Sequence, residues 1–149
     1  MNSPPCLSCE VVTGRRNTLG GAILETQHFH AHQDVAHPIP GLVILAAKRH
    51  FYALDEMFGE ETQEFIFLLH KIRQVQRDIL CIEHVYYFYN EDTSHHFHFW
   101  LVPRYDWMRQ FGKSVQSVRP VLLHARDHMN TPENLTEVHR CVALLRESL

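Results

Sequence analysis

One segment of this 149-residue chain alternates polar and apolar side chains so regularly that it favours a β-strand. Residues 95–102 read His-His-Phe-His-Phe-Trp-Leu-Val. Because successive side chains of a strand point to opposite faces, His96, His98 and Trp100 would share one face and apolar side chains the other. The segment therefore predicts a rigid strand that presents two imidazoles and an indole together. The alternative is a strand whose histidines lie on a solvated face.

The other elements are predicted from similar patterns. Within residues 55–80 apolar side chains recur at spacings of three and four, which indicates a helix. A final helix is predicted after Thr131, a capping residue that is followed by a proline. Strands joined by short turns, with the helices set apart, predict an α+β fold with an antiparallel β-sheet. Further strands are predicted at 22–32, 43–47 and 82–89, turns at 34–41 and 90–94, an irregular stretch at 10–21 and a helix at 121–129.

Length and charge limit the classes of protein to consider. The length suits one domain, to which we assign residues 1–149. A formal net charge of −3 argues against a nucleic acid polymer as partner. No apolar run approaches the ~20 residues of a membrane span, and the start of the chain lacks the features of a secretory signal. We therefore expect a cytoplasmic protein that binds neither nucleic acid polymers nor membranes.

Histidine and cysteine are the residues most suggestive of chemistry. The chain has 13 histidines, and imidazole serves metal binding, phosphate chemistry and acid–base catalysis. Cys6 and Cys9 form a C-x-x-C pair, for which a reducing compartment favours metal binding or inert burial over a disulfide. Cys81 and Cys141 stand alone and are predicted to be ordinary buried thiols.

The segment from His96 to Arg104 resembles the signature of the histidine triad family of nucleotide hydrolases and transferases. That signature is His-φ-His-φ-His-φ-φ, where φ is apolar, often followed by Pro-Arg, and only Trp100 departs from it. Upstream, Asp34, residues 38–41 and residues 43–50 are similar to the family's strand–turn–strand block. The likeness covers about residues 6–104, and residues 105–149 are predicted to be a helical C-terminal extension.

The resemblance implies a histidine-triad-like α+β fold, commonly a homodimer, and attack on the α-phosphate of a nucleotide ester, anhydride or amidate. His98 matches the nucleophile, which would form a nucleotidyl-histidine intermediate. Trp100 falls beside the leaving-group oxygen, where its indole N–H can donate a hydrogen bond but cannot transfer a proton. Because related uridylyltransferases have glutamine there, tryptophan need not abolish the chemistry, although it favours a leaving group that is already good.

Four further positions match nucleotide-binding residues of the family. Asp34 matches a carboxylate that binds ribose hydroxyls, and Asn90 an asparagine that contacts the nucleotide. Thr93 and Ser94 could offer hydroxyl and N–H groups to a phosphate. For Asp34 and Asn90 the alternative is a turn residue that bonds its own backbone. Two departures from the family are Leu42, which replaces a frequent histidine, and a shortened phosphate-contacting loop.

The resemblance also implies a structural zinc ion held by Cys6, Cys9, His50 and His96. Two cysteines and two histidines are a favoured tetrahedral zinc set. The alternative is a pair of reduced, unligated thiols. Another candidate site lies in the alternating histidines of residues 28–32, which would place three imidazoles on one strand face and could bind a catalytic metal. In the alternative, His28, His30 and His32 are solvated or face the nucleotide.

Three functions follow from these residues. The leading prediction is a nucleotide phosphohydrolase or nucleotidyltransferase that cleaves at the α-phosphate of a dinucleoside polyphosphate or related nucleotide conjugate. The second is a zinc-stabilised nucleotide-binding protein with little or no turnover, which Leu42 and Trp100 would explain. The third is a metalloenzyme built on residues 28–32 and unrelated to nucleotides.

Overall fold

The structure is a computed structural model that describes residues 6–92 and 96–149. Within these residues, five strands form one antiparallel sheet in the order β1-β2-β3-β5-β4, and helices pack on it. This architecture confirms the predicted α+β fold. The strands are β1 Ala22–Glu25, β2 Phe29–His32, β3 Val43–Ala47, β4 Val85–Phe88 and β5 His98–Pro103; the α-helices are α1 Leu7–Val12, α2 Gly59–Asp78, α3 Val115–His128 and α4 Pro132–Ser148; short 3-10 helices span Leu54–Glu56 and Asp106–Phe111.

Three parts of the structure refine or correct the sequence prediction. The extended structure predicted at 22–32 is divided into β1 and β2 by a turn, in which the Thr26 N–H donates to the Phe29 carbonyl at 2.9 Å. The stretch predicted to be irregular begins within α1, whose N-terminus is capped by the Cys6 thiol. Cys81, predicted to be buried, is exposed, since it takes a left-handed conformation (φ +57°) just after α2.

The alternation along β5 divides its side chains between two apolar clusters. Phe97, Phe99 and Leu101 pack in a first cluster with residues of α2 and α4. Trp100 and Val102 pack in a second cluster, which includes Met108 and residues of α3. Residues 105–149 therefore contribute to both clusters. The sheet face that carries His98 and Trp100 is called the histidine face below; it also includes cross-strand neighbours of these two residues, which are Ala46, His30, Ile44 and His32.

The turn between β2 and β3 is held by side chains from distant parts of the chain. Gln33 and Gln76 are completely buried, and Asn134 and Tyr105 are half-buried. Because each backbone carbonyl of residues 37–41 accepts a hydrogen bond from one of these side chains, the turn is rigid. The pairs are Gln33 to His37 and Ile39 (both 3.2 Å), Asn134 to Pro38 (2.7 Å), Tyr105 to Pro40 (2.5 Å) and Gln76 to Gly41 (2.9 Å).

Within the described ranges, the chain contains no helix that is long and apolar enough to cross a membrane.

Candidate functional site

His96 lies at the point where the strand pairing of β5 begins, and both of its ring nitrogens have defined surroundings. The regular strand starts at His98 rather than at the predicted residue 95, and His96 precedes it as a buried side chain. Its Nε2 lies 2.6 Å from the Ala47 carbonyl oxygen. Because a carbonyl only accepts, Nε2 carries the proton and donates it, and the lone pair of the neutral ring is on Nδ1.

Nδ1 of His96 faces three other metal-binding side chains. It lies 3.5 Å from Sγ of Cys6, 3.3 Å from Sγ of Cys9 and 3.2 Å from Nδ1 of His50. All four ligand atoms are within 4.8 Å of one another. A tetrahedral zinc ion with bonds of about 2.0–2.3 Å separates its ligand atoms by about 3.3–3.8 Å. The four residues thus form a group, called the Cys2His2 cluster here, with dimensions that suit a metal ion.

Local structure brings the Cys2His2 cluster together. Cys6 and Cys9 flank the first turn of α1, where the Cys6 thiol accepts the N–H of Cys9 at 3.4 Å. Arg49, next to His50, donates to the buried Glu61 carboxylate at 2.8 and 3.2 Å, which fixes the chain after β3. Burial and the adjacent Cys6 thiol raise the pKa of Cys9 to about 11. The Cys9 thiol therefore stays protonated at neutral pH unless a cation approaches it.

His98 has the opposite arrangement of ring nitrogens. Its Nδ1 lies 2.9 Å from the His96 carbonyl oxygen and therefore donates a hydrogen bond to it. The lone pair of the neutral ring is then on Nε2, and the side chain is half-buried on the histidine face. A neutral imidazole with one nitrogen held in this way can act as a nucleophile through the other.

Trp100 is held mainly by ring contacts. Its indole lies with its centroid 6.1 Å from the ring of His98, 6.1 Å from Phe88 and 5.6 Å from His37. The side chain is half-buried against the second apolar cluster. Trp100 is therefore both a neighbour of His98 and a packing residue.

Of the four predicted nucleotide-binding residues, the structure describes Asp34 and Asn90. Asp34 is half-buried, and its Oδ2 accepts from the N–H groups of Ala36 and His37 and from Nδ1 of His37, at 3.0, 2.8 and 2.6 Å. One oxygen of Asp34 is thus used in its own turn, as the alternative interpretation proposed, and ribose binding stays a prediction. Asn90 is half-buried after β4. Thr93 and Ser94 lie outside the described residues.

The contact between Asp34 and His37 was missed by sequence reasoning. An Asp-x-x-His spacing at the start of a proline-rich turn is the signal that could have revealed it, because a side chain that caps such a turn can reach the residue three positions later.

The alternating histidines of residues 28–32 do not converge on one point. His30 and His32 are buried on the histidine face with their Nδ1 atoms 3.0 Å apart, and Nε2 of His30 lies 3.3 Å from Glu25. His28 instead precedes β2 and faces Glu60 at 3.7 Å. Across residues 6–92 and 96–149, only the Cys2His2 cluster brings three or more metal-binding side chains within ligand distance. The geometry therefore argues against the metalloenzyme prediction.

Burial keeps His30 and His32 neutral. Burial lowers the pKa of His32 to about 3, with a further lowering by His30 and His98 that outweighs the opposing effect of Asp34. Burial likewise lowers the pKa of His30. Nε2 of His30 faces Glu25, and the Nδ1 atoms of His30 and His32 share one hydrogen bond, in which one ring donates and the other accepts.

Comparison with solved structures identifies histidine triad proteins. A Zn-bound histidine triad family protein from Mycobacterium smegmatis superposes with a TM-score of 0.64 at 20% identity, covering 97% of both chains. A Hit-like protein involved in cell-cycle regulation from Bartonella henselae gives 0.68 at 16% identity, covering 100% of both chains. A hypothetical histidine triad nucleotide-binding protein from Sulfolobus tokodaii gives 0.67 at 16% identity, covering 96% of this chain and 91% of its own.

No protein-family model matches the sequence, and no curated protein matches it either. The structural likeness nevertheless extends over nearly the whole chain, including the C-terminal third that carries no motif of the family. The chain therefore has the histidine triad fold.

The neutrality of His32 predicts a loss of stability in acid. Between pH 6.5 and about 3 the unfolded chain protonates this side chain and the folded protein does not, so the free energy of unfolding falls as the pH falls. The expected slope is up to about 1.4 kcal/mol per pH unit. In His32→Gln, urea unfolding at pH 7, 6 and 5 should show a correspondingly flatter dependence.

The variant is compared with the unaltered protein at each pH, so that effects of the Cys2His2 cluster cancel in the difference. Parallel stability profiles for the two proteins would show that His32 is not held neutral by the fold.

Proposed function

We propose that this chain, which has the histidine triad fold, is a nucleotide phosphohydrolase or nucleotidyltransferase that cleaves at an α-phosphate. Its substrate would be a dinucleoside polyphosphate or a related nucleotide conjugate. The observation that carries the proposal is the hydrogen bond from Nδ1 of His98 to the His96 carbonyl, since it leaves the lone pair on Nε2. The name of the Sulfolobus tokodaii neighbour, a nucleotide-binding protein, agrees with the substrate class.

The chemistry proceeds in two displacements. Nε2 of His98 attacks the α-phosphorus, and the bond between phosphorus and the leaving group breaks. The product is a nucleotidyl-histidine intermediate, whose positive ring remains held through Nδ1–H by the His96 carbonyl. Water, or another acceptor, then attacks the phosphorus of this intermediate, and the electron pair of the N–P bond returns to His98. Two easier steps replace one difficult step.

Several side chains would assist this reaction. The indole N–H of Trp100 would donate a hydrogen bond to the leaving-group oxygen, beside His98. Asp34 and Asn90 would bind the ribose and the nucleotide, and Thr93 and Ser94 would contact phosphate. His30 and His32 stay neutral beneath the nucleotide, so that they add no charge to the site.

We further propose that the metal of the Cys2His2 cluster is zinc. The spacing of the four ligand atoms suits a tetrahedral ion. Nε2–H of His96 donates a hydrogen bond to the Ala47 carbonyl, and a metal-ligating histidine usually has its other ring nitrogen held in this way. A Zn-bound neighbour with the same fold agrees with this choice. Bound zinc would tie α1 to the sheet beside the nucleophile and would supply no further chemistry.

A second candidate is a zinc-stabilised protein that binds nucleotides with little or no turnover. Leu42 is completely buried in the second apolar cluster, at the position where the family often has a histidine. Trp100 packs partly in the same cluster and has no proton to give. Both positions make apolar contacts where the family has histidine, and this favours binding over catalysis.

We also propose that the protein forms a homodimer and that it is located in the cytoplasm. In the described part of the chain, β4 forms one edge of the sheet, and such an edge can pair with another strand. Tyr87 of β4 is 50% exposed, and Ile66 of α2, which lines the same surface cavity, is 60% exposed. An apolar surface beside a sheet edge suits contact with a second copy of the chain.

Replacing the nucleophile tests the proposed activity. In His98→Ala, release of mononucleotide from diadenosine polyphosphate or adenosine phosphoramidate should fall by at least about 10³-fold, because the nucleophile of the proposed reaction is removed. Equilibrium binding of the nucleotide should be retained. Chromatographic assay of the released mononucleotide measures the first quantity and calorimetry the second.

His139→Ala, which alters an exposed histidine of α4, is the matched control and should keep full activity. Unchanged release in His98→Ala would remove His98 from the role of nucleophile. Binding by the unaltered protein without any release would establish the second candidate instead.

Metal analysis tests the proposed zinc site. The purified protein should contain one zinc ion per chain, and Cys6→Ser/Cys9→Ser should contain almost none. Loss of the ion should also lower the stability, by about 4 kcal/mol when the free metal exceeds its Kd about 1,000-fold. Elemental analysis and thermal unfolding measure the two effects.

Cys81→Ser is the control, since Cys81 is exposed and is not part of the Cys2His2 cluster. If stoichiometric metal persists in the double variant, it is held elsewhere, and the alternating histidines of residues 28–32 become the first place to look.

A further inference from the structure

Trp100 lies beside the position of the leaving group without being able to transfer a proton, and a histidine, His37, packs against it. Trp100 stands beside His98, where the leaving group would depart, and indole cannot transfer a proton. The imidazole of His37 rests on this indole, with the ring centroids 5.6 Å apart and the ring planes inclined by 58°. His37 comes from the turn between β2 and β3, so it reaches the position of Trp100 from outside the strand.

The ring of His37 is oriented by a carboxylate. Its Nδ1 lies 2.6 Å from Oδ2 of Asp34, and Nδ1–H therefore donates this hydrogen bond. Asp34 is itself fixed by the N–H groups of Ala36 and His37. With Nδ1 engaged, Nε2 is the nitrogen that can exchange a proton with a substrate, and the carboxylate offsets a positive charge on the ring.

The turn that carries His37 is rigid as well. All five carbonyls of residues 37–41 accept hydrogen bonds from side chains, two of which, Asn134 and Tyr105, belong to the C-terminal third of the chain. A group that is held in place before the substrate arrives loses little freedom in the transition state. These hydrogen bonds therefore suit a residue that must be held in place to transfer a proton to a bound substrate.

The other described histidines of this face are unsuited to donate a proton. His30 and His32 are buried, and burial lowers the pKa of both, in His32 to about 3. They are therefore neutral at pH 7, and each already uses its Nδ1 in their mutual contact at 3.0 Å. His98 is the proposed nucleophile. His37 is half-buried and bonded to a carboxylate, which are the surroundings of an acid–base group.

We propose that His37 is the general acid of this site and replaces the histidine that Trp100 displaces. The proposal rests on the proposed function, and within that substrate class it favours nucleoside 5′-phosphate conjugates with a poor leaving group, phosphoramidates above all. An amine leaves phosphorus only when it is protonated, so such substrates need the proton that tryptophan cannot supply.

The proton and electron balance is as follows. The reaction begins with His37 as the imidazolium, protonated on both ring nitrogens. As Nε2 of His98 bonds to phosphorus, the P–N bond of the phosphoramidate breaks, its electron pair stays on the leaving nitrogen, and that nitrogen takes the proton from Nε2 of His37, which becomes neutral. Neutral His37 then accepts a proton from the attacking water, while the new P–O bond forms and the bond between His98 and phosphorus breaks. Both histidines return to their starting states.

The test compares two leaving groups on the same nucleotide. The probes are adenosine 5′-(4-nitrophenyl phosphate), whose phenolate leaves without protonation, and an adenosine 5′-N-alkylphosphoramidate, whose amine does not. In His37→Asn, whose amide can still donate to Asp34, kcat/KM should fall by about 10²–10⁴-fold for the phosphoramidate. For the nitrophenyl ester the expected fall is less than about 3-fold. His37→Gln serves as a second variant if the first is unfolded by circular dichroism.

His98→Ala, assayed on both probes, separates failure of this proposal from failure of the proposed function. If His98→Ala is inactive on both probes but His37→Asn changes both equally or neither, His37 has at most a structural role and the general-acid proposal is overturned. If the unaltered protein cleaves neither probe, or if His98→Ala keeps its activity, the proposed function fails and this proposal fails with it.

Discussion

Two backbone carbonyls, that of Ala47 at the end of β3 and that of His96 just before β5, determine which nitrogen of each key imidazole carries a lone pair. The Ala47 carbonyl takes Nε2–H of His96, and the His96 carbonyl takes Nδ1–H of His98. The two rings, only two residues apart, are therefore opposite tautomers. Nδ1 of His96 faces the Cys2His2 cluster, and the lone pair of the neutral His98 ring is on Nε2. Because Ala47 ends β3 and His96 comes just before β5, a shift in the β3–β5 register would disturb both hydrogen bonds together.

Period-two alternation was enough to predict much of this arrangement. It predicts that His98 and Trp100 lie on one face and Phe97, Phe99 and Leu101 on the other, and the structure confirms this division, although Trp100 also packs in the second apolar cluster. It could not predict that His96 would lie outside the strand. This depends on the next residue, Phe97, whose backbone bonds to Ala47 and Phe51. The four metal-binding residues were assigned through family resemblance, since Cys6 and His96 are separated by 90 residues and periodicity does not connect them.

The hydrogen-bonded pair of Asp34 and His37 could not be predicted from the sequence for a different reason. Its two residues are local, but its meaning depends on Trp100, which approaches from another strand, and on side chains such as Asn134 that hold the turn from the C-terminal third. The same third carries no motif of the family and yet completes the fold. Under the general-acid proposal, the strand motif alone does not describe the chemistry of this site.

The central claim is that Nε2 of His98 bonds directly to phosphorus, and trapping the intermediate tests it most directly. Rapid quenching of the protein with an excess of adenosine 5′-(4-nitrophenyl phosphate), followed by intact-mass and peptide analysis, should reveal one adenylyl group per chain on His98. Phosphorus–nitrogen correlation NMR of the denatured adduct should assign the bond to Nε2. Turnover accompanied by an adduct on another residue, or by attachment through Nδ1 of His98, would contradict the account.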